Sequence, residues 1–240
     1  MLSVPLTPLA QDKLSAAVSG AERRREFERL KERLSAKQPP ALPVEQLVPT
    51  GIAAVDELLC GGFPAGILAT LEGETGRWSL AAGLAARMTR RSLVAIVDDG
   101  GLYPPALAEA GASLERVLVV PARKALAMAR AADILLRSRI CRLVLMPFVT
   151  LRDAVWERLA KLAHRSGALL IVVAAQAGAA LSAVAGVRLQ CTLERIHMLG
   201  RHGVWGAVDG FELRVGVRKH KHMAAGRATR VTVQCHSALI

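Results

Sequence analysis

The stretch that decides the fold reads PTGIAAVDELLCGGFPAG over residues 49–66 and runs into the aliphatic segment ILATL at 67–71. The turn EGETGRWS at 72–79 follows, and good helix formers occupy 80–89. A buried strand, a glycine-containing turn and a helix in this order are typical of the first unit of a parallel α/β sheet. In such sheets the first strand-to-helix turn is where phosphate binds, so we expect any ligand site to begin at 72–79.

Aliphatic runs and helical stretches alternate as far as Gln176, and strand patterns alone follow it. The predicted strands of the alternating part are 67–71, 92–98, 116–120, 143–146 and 169–175, with helices at 80–89, 105–110, 124–137 and 151–165. The later predicted strands are 187–196, 211–218 and 229–233. The sequence therefore predicts an α/β fold with a mostly parallel central sheet and antiparallel C-terminal strands.

Ahead of this core the composition changes several times. We predict a mobile N-terminus at 1–18, a charged amphipathic helix at 19–36, a linker at 37–50 containing QPPALP, and the core at 51–240. The helix carries Phe27, Leu30 and Leu34 on one stripe. Because so short a charged helix is marginal alone in water, we expect the stripe to bind a partner; the alternative is a solvated helix with one apolar edge.

Composition narrows the possible functions. The chain has 240 residues, enough for one domain with an appendage and too few for two enzymes. Its formal charge of +12 predicts attraction to polyanions. The low content of aromatic residues, 3%, argues against binding single-stranded nucleic acid by base stacking. The stretch 167–186 is uncharged, but it fits a buried strand and a loop better than a membrane span. No signal peptide is indicated, so we predict a cytoplasmic protein that does not bind membranes.

The four cysteines, at 60, 141, 191 and 235, lack any CxxC spacing and lie in apolar runs. This predicts buried thiols in a reducing compartment and no metal site. Of the tryptophans, Trp78 and Trp156 are expected in the core, and Trp205, which lies close to two glycines, is expected to be exposed.

The turn at 72–79 departs from a phosphate-binding P-loop, GxxxxGK[ST]. It reads GxxGRxS from Gly73, with Gly76, Arg77 and Ser79 at the defining positions, and is two residues shorter. Arg77 stands beside Gly76 where the motif has lysine. A rigid guanidinium is a poor substitute for a flexible ammonium inside a tight loop.

Together, the TG…D…GG-P-G pattern of 49–66 and the turn resemble the segment around the P-loop of the RecA family, and the resemblance extends over 47–233. It implies a RecA-like core whose nucleotide site is degenerate. Gly100 stands at the position of the family's catalytic glutamate, Pro147 at that of the magnesium-ordering aspartate, and Gln176 matches the nucleotide-sensing glutamine.

These departures predict a chain that is not an enzyme and uses no cofactor, because ATP hydrolysis needs a metal bridging the phosphates and a group that positions water. The alternative is that Asp98 and Asp99 take over those roles. The resemblance also places two DNA-gripping loops after the fourth and fifth core strands. Both are nearly deleted here, at 149–151 and 176–178, so we expect no filament that grips DNA along its axis.

A RecA-like core with a failed nucleotide site, short loops and a charged N-terminal helix is similar to ImuA, a family of accessory proteins in translesion synthesis. This implies a non-catalytic adaptor in SOS-type DNA-damage mutagenesis that links RecA to an ImuB-like polymerase subunit. The alternative is a nucleotide-dependent, DNA-binding RecA paralogue that acts in recombination repair.

Basic residues are densest near the C-terminal strands. The candidate partner or DNA surface consists of Arg214, Arg218, Lys219, Lys221 and Arg227. It predicts weak, salt-sensitive DNA binding or an acidic partner. The alternatives are a solvated edge strand, which lysine commonly protects from aggregation, and an inherited subunit contact that would allow self-association.

Overall fold

The computed structural model describes residues 47–199 and 207–234. The predicted helix with Phe27, Leu30 and Leu34, the 1–18 segment, Trp205 and Cys235 lie outside these residues. The strands are β1 (Leu47–Val48), β2 (Phe63–Pro64), β3 (Leu68–Glu72), β4 (Leu93–Asp98), β5 (Val117–Pro121), β6 (Cys141–Pro147), β7 (Leu169–Ala174), β8 (Val187–Leu199), β9 (Ala207–His220) and β10 (Ala228–Gln234). The helices are α1 (Ala53–Leu58), α2 (Arg77–Thr89), α3 (Pro104–Glu109), α4 (Ala125–Ser138), α5 (Asp153–Ser166) and α6 (Ala179–Val184), with a short 3₁₀ turn at Leu114–Arg116.

Eight of the strands form one sheet in the order β10-β9-β8-β3-β7-β6-β4-β5. The pairs from β8 to β5 are parallel, and β9 and β10 continue the sheet as antiparallel strands. This confirms the predicted α/β class. The carboxyl ends of the parallel strands therefore meet at one edge, where β3, β4, β6 and β7 each lead into a loop.

Both faces of the parallel strands are covered. Leu71, Ile96 and Leu213 belong to one apolar cluster, which α1, α2 and α3 help to build. Met146 and Val172 belong to the other, formed with α4, α5 and α6. Aliphatic side chains on both sides of a strand explain why these strands read as continuous apolar runs. No helix among the described residues has the length and apolarity needed to cross a bilayer.

The core starts earlier than predicted. The expected linker reached residue 50, but Leu47 and Val48 already pair with Pro64 and Phe63 in a small two-stranded sheet. Thr50 is buried, and its backbone N–H and its hydroxyl donate to Asp56 Oδ1 at 2.6 and 2.8 Å. The TG…D part of the 49–66 motif is thus a local clamp that fixes the start of α1.

Candidate functional site

The turn after β3 is built by close packing against the antiparallel strands. Gly73 and Gly76 both have positive φ, 131° and 80°. A Cβ at Gly73 would lie 2.1 Å from the carbonyl oxygen of Cys191 on β8. At Gly76 it would lie 2.2 Å from Leu213 Cδ1 on β9. The two predicted site glycines are therefore required by contacts within the chain, whether or not a phosphate binds.

Arg77 occupies the inside of this turn. Its Nη1 donates to the backbone carbonyls of Gly73 and Glu74, both at 2.5 Å. A phosphate-binding turn instead directs backbone N–H groups at its anion. Carbonyl oxygens carry a partial negative charge, so a turn that directs them inward repels phosphate oxygens. Arg77 thus closes the turn with a cation that belongs to the chain itself.

Glu72, at the end of β3, forms a buried ion pair that was not predicted. It is 1% exposed. Arg188 on β8 donates from Nε and Nη2 to its two oxygens, each at 2.8 Å. Thr70 Oγ1 and the Ala177 N–H donate to the same carboxylate, at 2.6 and 3.2 Å. All of these donors lie within the chain, so the group joins β3, β8 and the loop after β7.

The pKa of Glu72 reflects two opposing effects. Burial raises the pKa, because a charge is costly away from water. The hydrogen bonds from Arg188, Thr70 and Ala177 lower it further than burial raises it, so the pKa lies below its ordinary value. The carboxylate is therefore held in its ionised form.

On the other side of β3, the loops after β4, β6 and β7 surround a cleft of about 510 Å³. It brings together three of the predicted site residues, Arg77, Asp98 and Pro147. Ser79 lines a neighbouring cavity instead, and Gly100 and Gln176 line neither one. The lining also contains Asp99, which the sequence analysis named with Asp98 as an alternative, and residues that it did not assign to a site, among them Trp78, Tyr103 and Phe148.

The cleft has an apolar wall and an acidic rim. Pro147, Phe148 and Val173 form the wall. The ring of Phe148 is stacked on that of Trp156, with 6.3 Å between the centroids. The rim carries Asp98 and Asp99, whose Oδ1 atoms accept the N–H groups of Leu102 and Gly101 at 2.9 and 3.2 Å.

Two aromatic side chains stand at the mouth of the cleft. Tyr103 is 66% exposed and Trp78 is 39% exposed. The prediction that Trp78 belongs to the core was wrong, because its place in the first turn of α2 directs it to the cleft and to the neighbouring cavity. Trp156, at 1% exposure, is in the core as predicted. No group of three or more His, Cys, Asp or Glu side chains able to hold a metal occurs within the described residues.

The basic surface is smaller than predicted. Arg214, Arg218, Lys221 and Arg227 are exposed. Lys219 is not free to join them, because its ammonium donates to the carbonyls of Ser182 and Ala183 in α6, at 3.0 and 2.8 Å. Burial lowers the pKa of Lys219, and Arg188 and Lys221 lower it further. This lysine stabilises the end of a helix.

The thiols follow the prediction in part. Cys141 and Cys191 are buried, and burial raises the pKa of Cys191 to about 12. Cys60 is exposed, contrary to expectation, because it lies in the turn after α1 with a positive φ of 55°.

The two loops that the RecA resemblance marked as shortened are short in the structure. β6 ends at Pro147 and α5 begins at Asp153, while β7 ends at Ala174 and α6 begins at Ala179. Neither connection has room for a long DNA-binding loop.

Sheet order, the turn after β3 and the cleft at the carboxyl edge together define a RecA-like α/β core. A solved structure titled "Crystal structure of the RadB recombinase" is similar, with a TM-score of 0.58, 18% sequence identity, and coverage of 77% of this chain and 94% of that chain. At this identity the likeness shows the fold alone.

The chain belongs to the family described as the MT3502 N-terminal domain, whose profile matches residues 57–179. No curated protein matches the chain. The likeness to the solved structure supports the RecA-like fold, the family model gives no link to ImuA, and the likeness to ImuA stays a hypothesis.

Proposed function

We propose that the chain is a non-catalytic RecA-like adaptor in DNA-damage-induced translesion synthesis. One observation carries the non-catalytic part: the Arg77 guanidinium fills the turn where a P-loop holds phosphate, donating to the carbonyls of Gly73 and Glu74. A protein that keeps the RecA-like core without a phosphate-binding turn retains its surfaces for binding.

The positions around the turn support the same proposal. Hydrolysis needs a metal that bridges the phosphates and a residue that orients water. The Pro147 and Gly100 side chains supply neither a metal ligand nor a base. On this account the chain is not an ATPase and takes no nucleotide cofactor.

The adaptor role rests on the resemblance to ImuA, which implies RecA and an ImuB-like polymerase subunit as partners in the cytoplasm. The short loops after β6 and β7 agree with a core that does not grip DNA along a filament axis. Exposed Arg214 and Arg218 support weak DNA binding through phosphate contacts, with an affinity that falls steeply as salt rises.

The test is complex formation between the purified full chain and each partner, followed by size-exclusion chromatography with and without ATP. We expect a complex with the polymerase subunit, with RecA, or with both, and the amount of the polymerase-subunit complex should not depend on ATP. Failure of both complexes, or a polymerase-subunit complex that forms only with ATP, contradicts the proposal.

A pair of variants locates the binding surface. The double variant Phe27→Asp with Leu30→Asp removes the predicted apolar stripe, and Arg214→Glu with Arg218→Glu reverses the exposed basic pair. We expect at least one of these two double variants to weaken the complex with the partner. If neither weakens it, neither surface binds the partner.

The second candidate is a nucleotide-dependent, DNA-binding RecA paralogue in recombination repair. The likeness in fold to RadB recombinase favours it, as do Asp98 and Asp99 at the end of β4. Direct measurement of ATP binding separates the two candidates.

A further inference from the structure

The cleft at the carboxyl edge has the composition of a binding site for a cation that carries an apolar group. Its volume of about 510 Å³ falls within the usual range for ligand pockets, roughly 300–1,000 Å³. Such sites combine apolar walls with a few polar groups that fix the orientation of the occupant. Here Pro147, Phe148 and Val173 supply the apolar surface, and Asp98 and Asp99 supply the polar groups.

The apolar wall is held in place from behind. Phe148 stacks on Trp156, which is 1% exposed, and the Phe148 N–H donates to the Val173 carbonyl at 2.9 Å. A wall fixed in this way loses little side-chain entropy when an apolar group packs on it.

The charged groups of the cleft are Arg77, Asp98 and Asp99. Arg77 directs Nη1 at the turn carbonyls, which leaves the two carboxylates at the rim. Within residues 47–199 and 207–234 neither carboxylate forms an ion pair. The rim thus carries two carboxylates on a chain with a formal charge of +12, and the nearby Arg123 guanidinium would lie 3.9 Å from a Cβ at Gly100.

Two aromatic side chains line the same cleft as these carboxylates. Trp78 and Tyr103 are both exposed and both line the cleft. Cations bind favourably over the faces of Trp and Tyr, and a neighbouring carboxylate adds charge complementarity. An anionic or neutral occupant gains neither contribution.

We propose that this cleft binds a segment of a partner protein that places a lysine or arginine beside a large apolar side chain. The basic group lies against Asp98 and Asp99 and the aromatic faces, and the apolar group packs on Pro147 and Phe148. This proposal rests on the proposed function, because it assigns a partner to the cleft where a RecA-like core would hold nucleotide.

The test uses a small probe with the same chemistry, the 2-phenylethylguanidinium ion, added to the ¹⁵N-labelled full chain and followed by NMR. Two matched probes are the neutral 2-phenylethanol and the anionic 3-phenylpropionate. We expect the cation to shift the amides of Gly101, Phe148 and Ala175 saturably, with about tenfold tighter binding than the neutral probe. Equal or tighter binding of the anion, or shifts confined to other surfaces, overturns the proposal.

Variants separate the contribution of charge to probe binding from the contribution of the shape of the cleft. Asp98→Asn with Asp99→Asn keeps the oxygens that accept the loop N–H groups, so we expect the preference for the cation to disappear while 2-phenylethanol binds as before. Trp78→Ala should weaken both probes, and Glu115→Gln, at an exposed acid outside the cleft, should change neither. An unchanged preference for the cation in the double variant refutes the role of the carboxylates.

Adenosine and ATP serve as further arms of the titration. If ATP shifts the same amides more tightly than the cation, the cleft is a nucleotide site, and both this proposal and the proposed function are wrong. If neither ATP nor the cation binds, only the inference about the cleft is wrong.

Discussion

The carboxyl edge of the sheet has two halves that meet at β3 and differ in how far their carboxylates are buried: Glu72 is 1% exposed, whereas Asp98 is half-buried and Asp99 is exposed. In the closed half, Glu72 and Arg77 direct their hydrogen bonds to groups of the chain itself. In the open half, Asp98, Asp99 and Trp78 line a cleft that faces solvent. One edge of this RecA-like sheet is thus divided into a part that holds the fold and a part that remains open to solvent.

The closed half is stabilised by the hydrogen bonds that the Glu72 carboxylate accepts. A buried carboxylate is costly unless its oxygens are hydrogen-bonded, and Glu72 receives donors from Arg188, Thr70 and Ala177. Removing one donor leaves the charge buried and uncompensated, which costs much more than the net contribution of the pair. The largest effects of substitution are therefore expected in this half.

Arg188→Ala should give the largest loss of stability. It leaves the Glu72 charge without its bidentate partner, so we expect the free energy of unfolding to fall by about 3–5 kcal/mol. The measurement is urea denaturation followed by circular dichroism. Arg214→Ala is the matched control, because this exposed arginine forms no ion pair within the described part of the chain, and it should change stability by less than about 0.5 kcal/mol. Similar losses for the two variants would show that the Glu72 group does not stabilise the fold.

Gly73→Ala should lower the free energy of unfolding by about 2–3 kcal/mol, somewhat less than Arg188→Ala. The loss comes from the positive φ of Gly73 and from the contact of the added Cβ with the Cys191 carbonyl. Gly226→Ala is the control, since it has a φ of 94° and nothing within 4 Å of its added Cβ. Denaturation of the two variants separates backbone strain from packing. If they lose equal stability, the turn is not packed against β8 as described.

The smallest effect is the dependence of stability on pH. The pKa of Glu72 is lower in the folded state than its ordinary value of 4.5, so the folded state binds fewer protons than the unfolded state at acid pH. The stability that this group contributes is present above the ordinary pKa and is lost as pH falls through the folded pKa. We expect unfolding free energy measured from pH 7 to pH 3 to decline less steeply in Glu72→Gln than in the native chain. Parallel curves would contradict a lowered pKa.

Much of the fold could be predicted from the sequence, because its signals are local. Runs such as 169–175 are aliphatic on both faces, as a parallel strand covered on both sides requires. The expectation of strands alone after Gln176 was right for the antiparallel β9 and β10. It missed the helix α6 at Ala179–Val184 and the parallel pairing of β8 with β3. Gly73 and Gly76 marked the turn correctly, although the contacts that require them are with β8 and β9.

The site was less predictable because its contacts are distant in sequence or depend on side-chain direction. Glu72 and Arg188 are 116 positions apart, and the only local signal was an acid closing an apolar strand. The direction of Arg77 into the turn and the exposure of Trp78 depend on how α2 starts, which no spacing rule specifies. Nothing in the sequence marked Tyr103 as a site residue, since it lies in a loop whose path depends on the neighbouring strands.

The most direct test of the central claim is calorimetric titration of the full chain with ATP and magnesium, with RecA as the positive control. Because Arg77 fills the turn and no carboxylate stands at the Pro147 position, we predict no saturable binding up to millimolar ATP and no turnover. Saturable micromolar binding, with hydrolysis lost in Asp98→Asn or Asp99→Asn, would contradict the account and establish a nucleotide-dependent protein.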